Sequence, residues 1–469
     1  RHRSRAKRPA TLPSASYCRP PDMVAIEDQE LEGENAYVAL LHGQRQEFIL
    51  YALLLGHRLK HLDSSTPRVL LVGHALPEYD APFLEGDFLR CLQTCWQVRP
   101  VDLIDAAAAD KSPRKRHRYV FTKLRALEVP YRRLLFFDLD VIVRKDPSPL
   151  FEVPAPAGMY HGDWVSRRAS THGGLLPEEA LTSGCVNAGL LRLDPPADKI
   201  ARRQLLEEMM EEVASLTVAD ESYLPEQYYL VHKLAAWRHL DVSWNCEVNP
   251  EVYVETAYSK GKARGKSSTV VVAEMPSDWW QLGDTEDDLA NSVGMFHFSG
   301  THLEPWWYLH LSAASAKAVL RSHFRNRDSR GMVALAVCDW LQGIEDLLHA
   351  LGTAKAVVEL KAVEELIGTL VWRVSYFWEG TETCSRCGAE DTNPGLCEEC
   401  EVLHACRSKE VEGAHSASWL LWLAPSTVPA GGKQRRRLTK QSPGNTKSTK
   451  SIKKEGPRGS LRSDFCQEN

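Results

Sequence analysis

From Ala36 onward, short uninterrupted apolar runs alternate with amphipathic stretches, and few architectures accommodate that pattern. AYVALL (36–41), RVLLVG (68–73), WQVRPVDLI (96–104) and RLLFFD (133–138) are strand-length runs, largely continuous in apolar character. Such strands are covered on both faces, as in a mostly parallel sheet with helices on each side. The segments between them have helical spacing: EFILYALLLGHRLKHL (47–62), PFLEGDFLRCLQ (82–93) and YVFTKLRALEV (119–129). After a Pro-rich linker (146–156), further strands are expected at VNAGLLRL (186–193), STVVVA (268–273) and VGMFHFSG (293–300), with helices over 198–216 and 225–236. The expected class is α/β, a Rossmann-like, mostly parallel sheet. Beyond Pro305 the pattern changes to helices over 311–377, a cysteine cluster, a Trp-rich piece (419–424) and a basic tail (431–469) too poor in apolar residues to fold.

Composition narrows the function classes. With 43% hydrophobic and 25% charged residues, the chain is neither wholly disordered, collagen-like nor a multi-span membrane protein. Its 469 residues are enough to bury a core without disulfides or metals. The net charge of −5 hides basic ends, so the stretch 22–430 is strongly acidic. That argues against a nucleic-acid-binding core, which needs a cationic face. It suits carboxylates gathered around a divalent cation, although a solvated acidic surface is the commoner explanation. No run of 18 apolar residues is present, and the opening RHRSRAKRPA has no apolar signal region. The chain does not begin with Met, and an incomplete N-terminus is expected; cytoplasm or a Golgi association are the compartments considered. Cys91, Cys185, Cys246 and Cys338 sit in apolar sequence and read as small buried hydrophobes of a reduced compartment.

The first chemical signal is LLFFDLDVIV, where Asp138 and Asp140 follow four apolar residues. In an open parallel sheet, ligands bind at the carboxyl ends of the strands. Two carboxylates there can share one hard cation, which would neutralise a departing diphosphate. An Asp pair that merely ends a strand is the plainer reading, but apolar neighbours on both sides make two unpaired charges costly. The same DLD also opens phosphatases of the haloacid-dehalogenase type, with the first Asp as nucleophile. Val141 and Ile142 fit that pattern poorly.

Ordered motifs favour another family. FTKLRALEVPYRRLLFFDLDVIV, with Lys123, Tyr131, Arg132 and the DxD, resembles the central segment of glycosyltransferase family 8, the glycogenin-like and galactosyltransferase-like enzymes. VNAGLLRLDP (186–195), LPEQYYLVHKL (224–234) and HFSGTHLEPWW (297–307) resemble three further segments in family order, and residues 36–73 resemble its first βαβ unit. The resemblance covers about residues 35–310.

It implies a GT-A fold and a retaining, Mn²⁺- or Mg²⁺-dependent transfer of a hexose from a UDP-sugar to a hydroxyl acceptor, whether glycan, protein, lipid or inositol. Asp138, Asp140 and His297 match the ligands of the ion, and a neutral imidazole suits such an oxygen-rich site. Leu40, Leu41, Lys123, Leu139, Asn187, Ala188 and Gly300 match donor-facing positions. Asn187, Glu226 and Gln227 match the reacting centre. Two mechanisms stay open: same-face attack with Gln227 shielding the anomeric carbon, or Glu226 as nucleophile in the manner of retaining glycosidases. Glu304 departs from the family, which has a Lys before Pro-Trp, and the segment is one residue longer. A carboxylate facing a diphosphate needs a compensating cation, with His302 and KSPRKRHR (111–118) as candidates. The departure keeps a weak or silent sugar-nucleotide-binding protein in view.

Finally, Cys384, Cys387, Cys397 and Cys400 have the paired-knuckle spacing of a closed tetrahedral zinc ribbon, structural rather than catalytic. The expected organisation is a basic N-terminal segment (1–34), a transferase domain (35–310), a helical extension (311–380), the ribbon (381–406) and a low-complexity tail (407–469). The C-terminal extension is the expected place for protein contacts or a homodimer.

Overall fold

The structure is a computed structural model that describes residues 31–42, 45–74, 86–105, 115–161, 171–176, 185–215, 225–248, 282, 285–299, 304–323, 331–354 and 356–379. The expected strand STVVVA, Gly300, His302, the cysteine quartet and both termini lie outside the described residues.

Strands β1 (Gly33–Leu41), β2 (Arg68–His74), β3 (Gln97–Asp102) and β4 (Tyr131–Phe137) form the parallel half of a seven-stranded sheet. A three-residue strand, β5 (Val141–Val143), follows the DLD and belongs to a separate small sheet. Strands β6 (Ala157–His161), β7 (Cys185–Leu193) and β8 (Arg238–His239) complete the large sheet in the order β3-β2-β1-β4-β7-β6-β8, with β7 antiparallel to both β4 and β6. The small sheet adds β9 (Cys246–Glu247) and β10 (Met295–His297) in the order β5-β10-β9. The fold is therefore mixed α/β around a mostly parallel core.

Helices pack on both faces. On one lies α1 (Glu47–Leu62), in which Ile49 through Leu55 are all buried. A helix apolar all round must be covered on all sides. Here the second cover comes from the C-terminal helices. After α2 (Gly86–Gln93), α3 (Lys199–Ser215), α4 (Pro225–Lys233) and α5 (Glu286–Ser292) come α6 (Ala313–His323), α7 (Met332–Thr353) and α8 (Val357–Glu379). Trp340 of α7 meets the Tyr51 ring edge-on at 5.8 Å. Gly343 lets α7 approach α1, since a Cβ there would lie 2.7 Å from the Leu54 side chain. Residues of α6–α8 thus share one apolar core with the sheet.

The opposite face is covered by α3, α4 and the segment Lys115–Glu128. That segment is a run of 3-10 turns rather than the α-helix expected over 119–129. Its core residues Phe121, Leu124 and Leu127 recur every three positions, the spacing that a three-residue turn stacks on one face. No described helix is long and apolar enough to cross a membrane.

Candidate active site and metal centre

Register brings the site residues together. Because β1, β2 and β4 run parallel, their carboxyl ends share one edge, and Asp138 is the residue after β4. Antiparallel β7 pairs Leu190 with Phe137, and the Asp138 N–H donates to the Gly189 carbonyl at 3.0 Å. Across the small sheet, His297 pairs with Val141 on one side and Glu247 on the other. The Phe298 N–H donates to the Asp140 carbonyl at 2.8 Å. These bonds set the imidazole beside the carboxylates: His297 Nε2 is 3.3 Å from Asp140 Oδ1. One ligand atom each from Asp138, Asp140 and His297 lie within 4.8 Å of one another. Two carboxylates and an imidazole at that spacing are a donor set suited to one hard or borderline divalent ion.

Electrostatics accord with that reading. Burial alone would raise the Asp140 pKa, but the charge and hydrogen bond of His297, then Lys123, bring it below the usual 3.8. For His297 burial works against the charge, and Asp140 outweighs it, so the pKa lies above 6.5. Lys123 is likewise buried against its charge, yet Asp138 and Glu226 hold it protonated. Its Nζ lies 2.8 Å from Asp138 Oδ1 and 3.5 Å from Glu226 Oε1. Lys123 therefore joins Asp138 to Glu226 at the start of α4.

Gln227, next on α4, is buried, and its Oε1 has no hydrogen-bond partner among the described residues. A buried carboxamide oxygen without a partner is costly, and a ligand hydroxyl would satisfy it. Asn187 is buried too, with Nδ2 donating to Glu247 Oε1 at 2.7 Å and Oδ1 accepting from the Gly189 N–H at 2.8 Å. Leu40 and Leu41 send their side chains to the two opposite cores, and Leu139 and Ala188 are buried. The structure thus gathers Lys123, Asp138, Asp140, Asn187, Glu226 and His297 through direct or shared contacts.

Several residues escaped the sequence reading. A Cβ on Gly189 would sit 2.3 Å from the His297 ring, so only glycine allows that approach. Asn245 and Ser299 contact the cluster, through His297 and Glu247 respectively. His42 lies just beyond β1, where burial and the charge of Lys123 push its pKa down to about 4. Glu304 accepts from Tyr51 Oη at 2.8 Å and from Arg45 Nη2 at 3.2 Å. Among the described residues, Arg45 is a cation beside Glu304, and no motif had marked it.

The chain matches no protein-family model. It is 24% identical over 217 residues to an uncharacterized protein of Acanthamoeba polyphaga mimivirus, covering 45% of this chain and 71% of that one. It is 30% identical over 118 residues to inositol phosphorylceramide glucuronosyltransferase 1 of Arabidopsis thaliana, 25% of this chain but only 20% of the plant enzyme. Among solved structures, it is similar to an active-site variant of LgtC, with a TM-score of 0.35 and 14% identity over 58% of this chain and 89% of that one.

Proposed function

We propose that the protein is a glycosyltransferase that moves a sugar, a hexose or its uronic acid, from a UDP-sugar to a hydroxyl acceptor with retention of configuration. The observation that carries this reading is the Asp138–Asp140–His297 cluster at the strand edge, tied through Lys123 to Glu226, the neighbour of Gln227, whose Oε1 has no partner among the described residues. The ordered family 8 motifs and the plant glucuronosyltransferase relative support it.

Asp138, Asp140 and His297 would hold a divalent ion, Mn²⁺ or Mg²⁺, which when bound would offset the charge developing on a leaving diphosphate. In the reaction, the bond from the anomeric carbon to the phosphate oxygen breaks and a bond to the acceptor oxygen forms. The acceptor proton passes to the departing diphosphate. Gln227 would orient the sugar through its free carbonyl oxygen. Lys123 keeps Glu226 and Asp138 in place and limits their mutual repulsion. With Lys123 only 3.5 Å away, Glu226 is better suited to anchoring than to attacking carbon as a free nucleophile. Leu40, Leu41, Leu139, Ala188 and Gly300 remain proposed as donor-facing positions, and the cysteine quartet as a structural Zn²⁺ site.

The test is to incubate the full chain with a panel of UDP-sugars and Mn²⁺, following UDP release with and without sugar, lipid and inositol acceptors. Proton NMR of the product would report the anomeric configuration. Metal-dependent UDP release with a retained anomer is expected. Release of inorganic phosphate from phosphate monoesters instead would favour the phosphatase reading.

A further inference from the structure

The proposed metal ligand His297 is the last member of a chain of side-chain hydrogen bonds whose directions can be deduced. The Gly189 N–H, which can only donate, is 2.8 Å from one terminal atom of the Asn187 carboxamide, so that atom is the oxygen. The other terminus is then the amide nitrogen, 2.7 Å from the acceptor Glu247 Oε1, which agrees. Asn245 meets the Asn187 oxygen at 2.9 Å and must turn its own NH₂ towards it. That leaves Asn245 Oδ1 facing His297 Nδ1 at 2.9 Å. A carboxamide oxygen only accepts, so Nδ1 must carry the proton. Neutral His297 therefore keeps its lone pair on Nε2, the nitrogen beside Asp140.

We infer that Asn245, oriented by Asn187 and Gly189, is a positioning residue that fixes the His297 tautomer and ring plane for metal binding through Nε2. The inference rests on the metal-site reading above. It also gives Asn187 a task distinct from contact with sugar: its oxygen accepts two bonds and its NH₂ holds Glu247. Glu247 is held in turn by Ser299 Oγ at 2.6 Å. Asn187, Asn245, Glu247 and His297 are each 7% exposed or less, so water cannot readily substitute for a lost partner. Partners of this kind typically change metal affinity by about 10–100-fold when removed.

Two measurements on the full chain test it. Ring-nitrogen NMR of ¹⁵N-histidine-labelled protein without added Mn²⁺, at a pH where His297 is neutral, reads the tautomer; His297→Gln identifies the signal. Nδ1–H is expected, and Nε2–H would overturn the proposal whatever the metal does. Mn²⁺ titration then compares Asn245→Leu, which removes the acceptor, with Asn245→Asp, which keeps one facing Nδ1. The Leu variant should bind about 10–100-fold more weakly; the Asp variant, which keeps the acceptor for Nδ1 but loses the bond to Asn187, should recover part of that loss. Equal losses would mean that Asn245 only supports the fold. Were the unmodified chain not to bind Mn²⁺ at all, the metal reading would fall, and the tautomer signal alone would judge the relay.

Discussion

Strand β5 is three residues long, and a cluster of charged side chains lies at each of its ends. Beyond Val143, Arg144 pairs with Asp339 of α7 at 2.6 Å and donates to the Leu289 and Val293 carbonyls at 3.2 and 3.1 Å. Arg58 of α1 donates to the Val143 carbonyl at 3.2 Å and lies 3.7 Å from Asp346. Lys145 caps the α5 carbonyls of Asn291 and Ser292. Each cation there has a carboxylate or a carbonyl, and the result is a dock that fastens α7. Before Val141, three carboxylates (Asp138, Asp140 and Glu226) share one lysine and one imidazole, and the Gln227 oxygen has no partner among the described residues. Each cation of the dock has a protein partner, whereas the site holds more carboxylates than cations. Local rules broken in one place and kept a few residues away are the usual mark of function.

The contrast can be broken from either end. Trp340→Ala should have the largest effect on stability, about 3–5 kcal/mol, because a fully buried indole against Tyr51 leaves a cavity. Chemical denaturation would measure it, and Mn²⁺ affinity of the folded fraction should be unchanged. Gly189→Ala should reverse that profile. Its Cβ would displace the His297 ring, costing about 1–3 kcal/mol of overpacking and weakening Mn²⁺ binding at least tenfold.

Arg144→Ala should cost about 1–3 kcal/mol by removing two hydrogen bonds and the ion pair with Asp339 from the dock. Its pH dependence has a definite sign. Burial already raises the Asp339 pKa above 3.8, and Arg144 opposes that rise. In the variant the folded state would hold the proton to higher pH than the unfolded chain. Stability then falls as pH rises through the Asp339 titration, so the deficit should shrink in acid. The smallest effect should come from Glu304→Gln. It leaves an acceptor for Tyr51 and loses only the pair with Arg45, whose side chain is 47% exposed, worth about 0–1 kcal/mol. A larger change in UDP affinity than in stability would put Arg45 and Glu304 within reach of the diphosphate.

The contrast also explains what could be read in advance. β1, α1, β2, β4 and β7 stand within a few residues of their expected bounds because continuous apolar runs and helical spacing are local signals. Asp138, Asp140 and His297 were legible through motif and strand-end position. Glu247 was not, because a two-residue strand has no periodicity to detect, nor was Asn245, which ends the three-residue turn before it. The Arg45–Glu304 pair spans 259 positions, beyond any local pattern. The apolar face of 311–377 was visible, but not that α1 would be its partner, since apolarity specifies burial without specifying against what. The 3-10 turns over Lys115–Glu128 stand where an α-helix was expected over 119–129, because apolar residues three apart fit one face of either helix over a single turn.

In the function proposed above, Asp138, Asp140 and His297 would hold a divalent ion that ties a nucleotide diphosphate to the sheet edge. The direct measurement is equilibrium binding of UDP to the full chain, with and without Mn²⁺, for the unmodified protein and Asp140→Asn. The substitution keeps the shape and removes one charge. UDP binding should require Mn²⁺ and be lost in Asp140→Asn while thermal unfolding stays cooperative. UDP binding of equal strength with and without Mn²⁺, unaltered by the substitution, would contradict it.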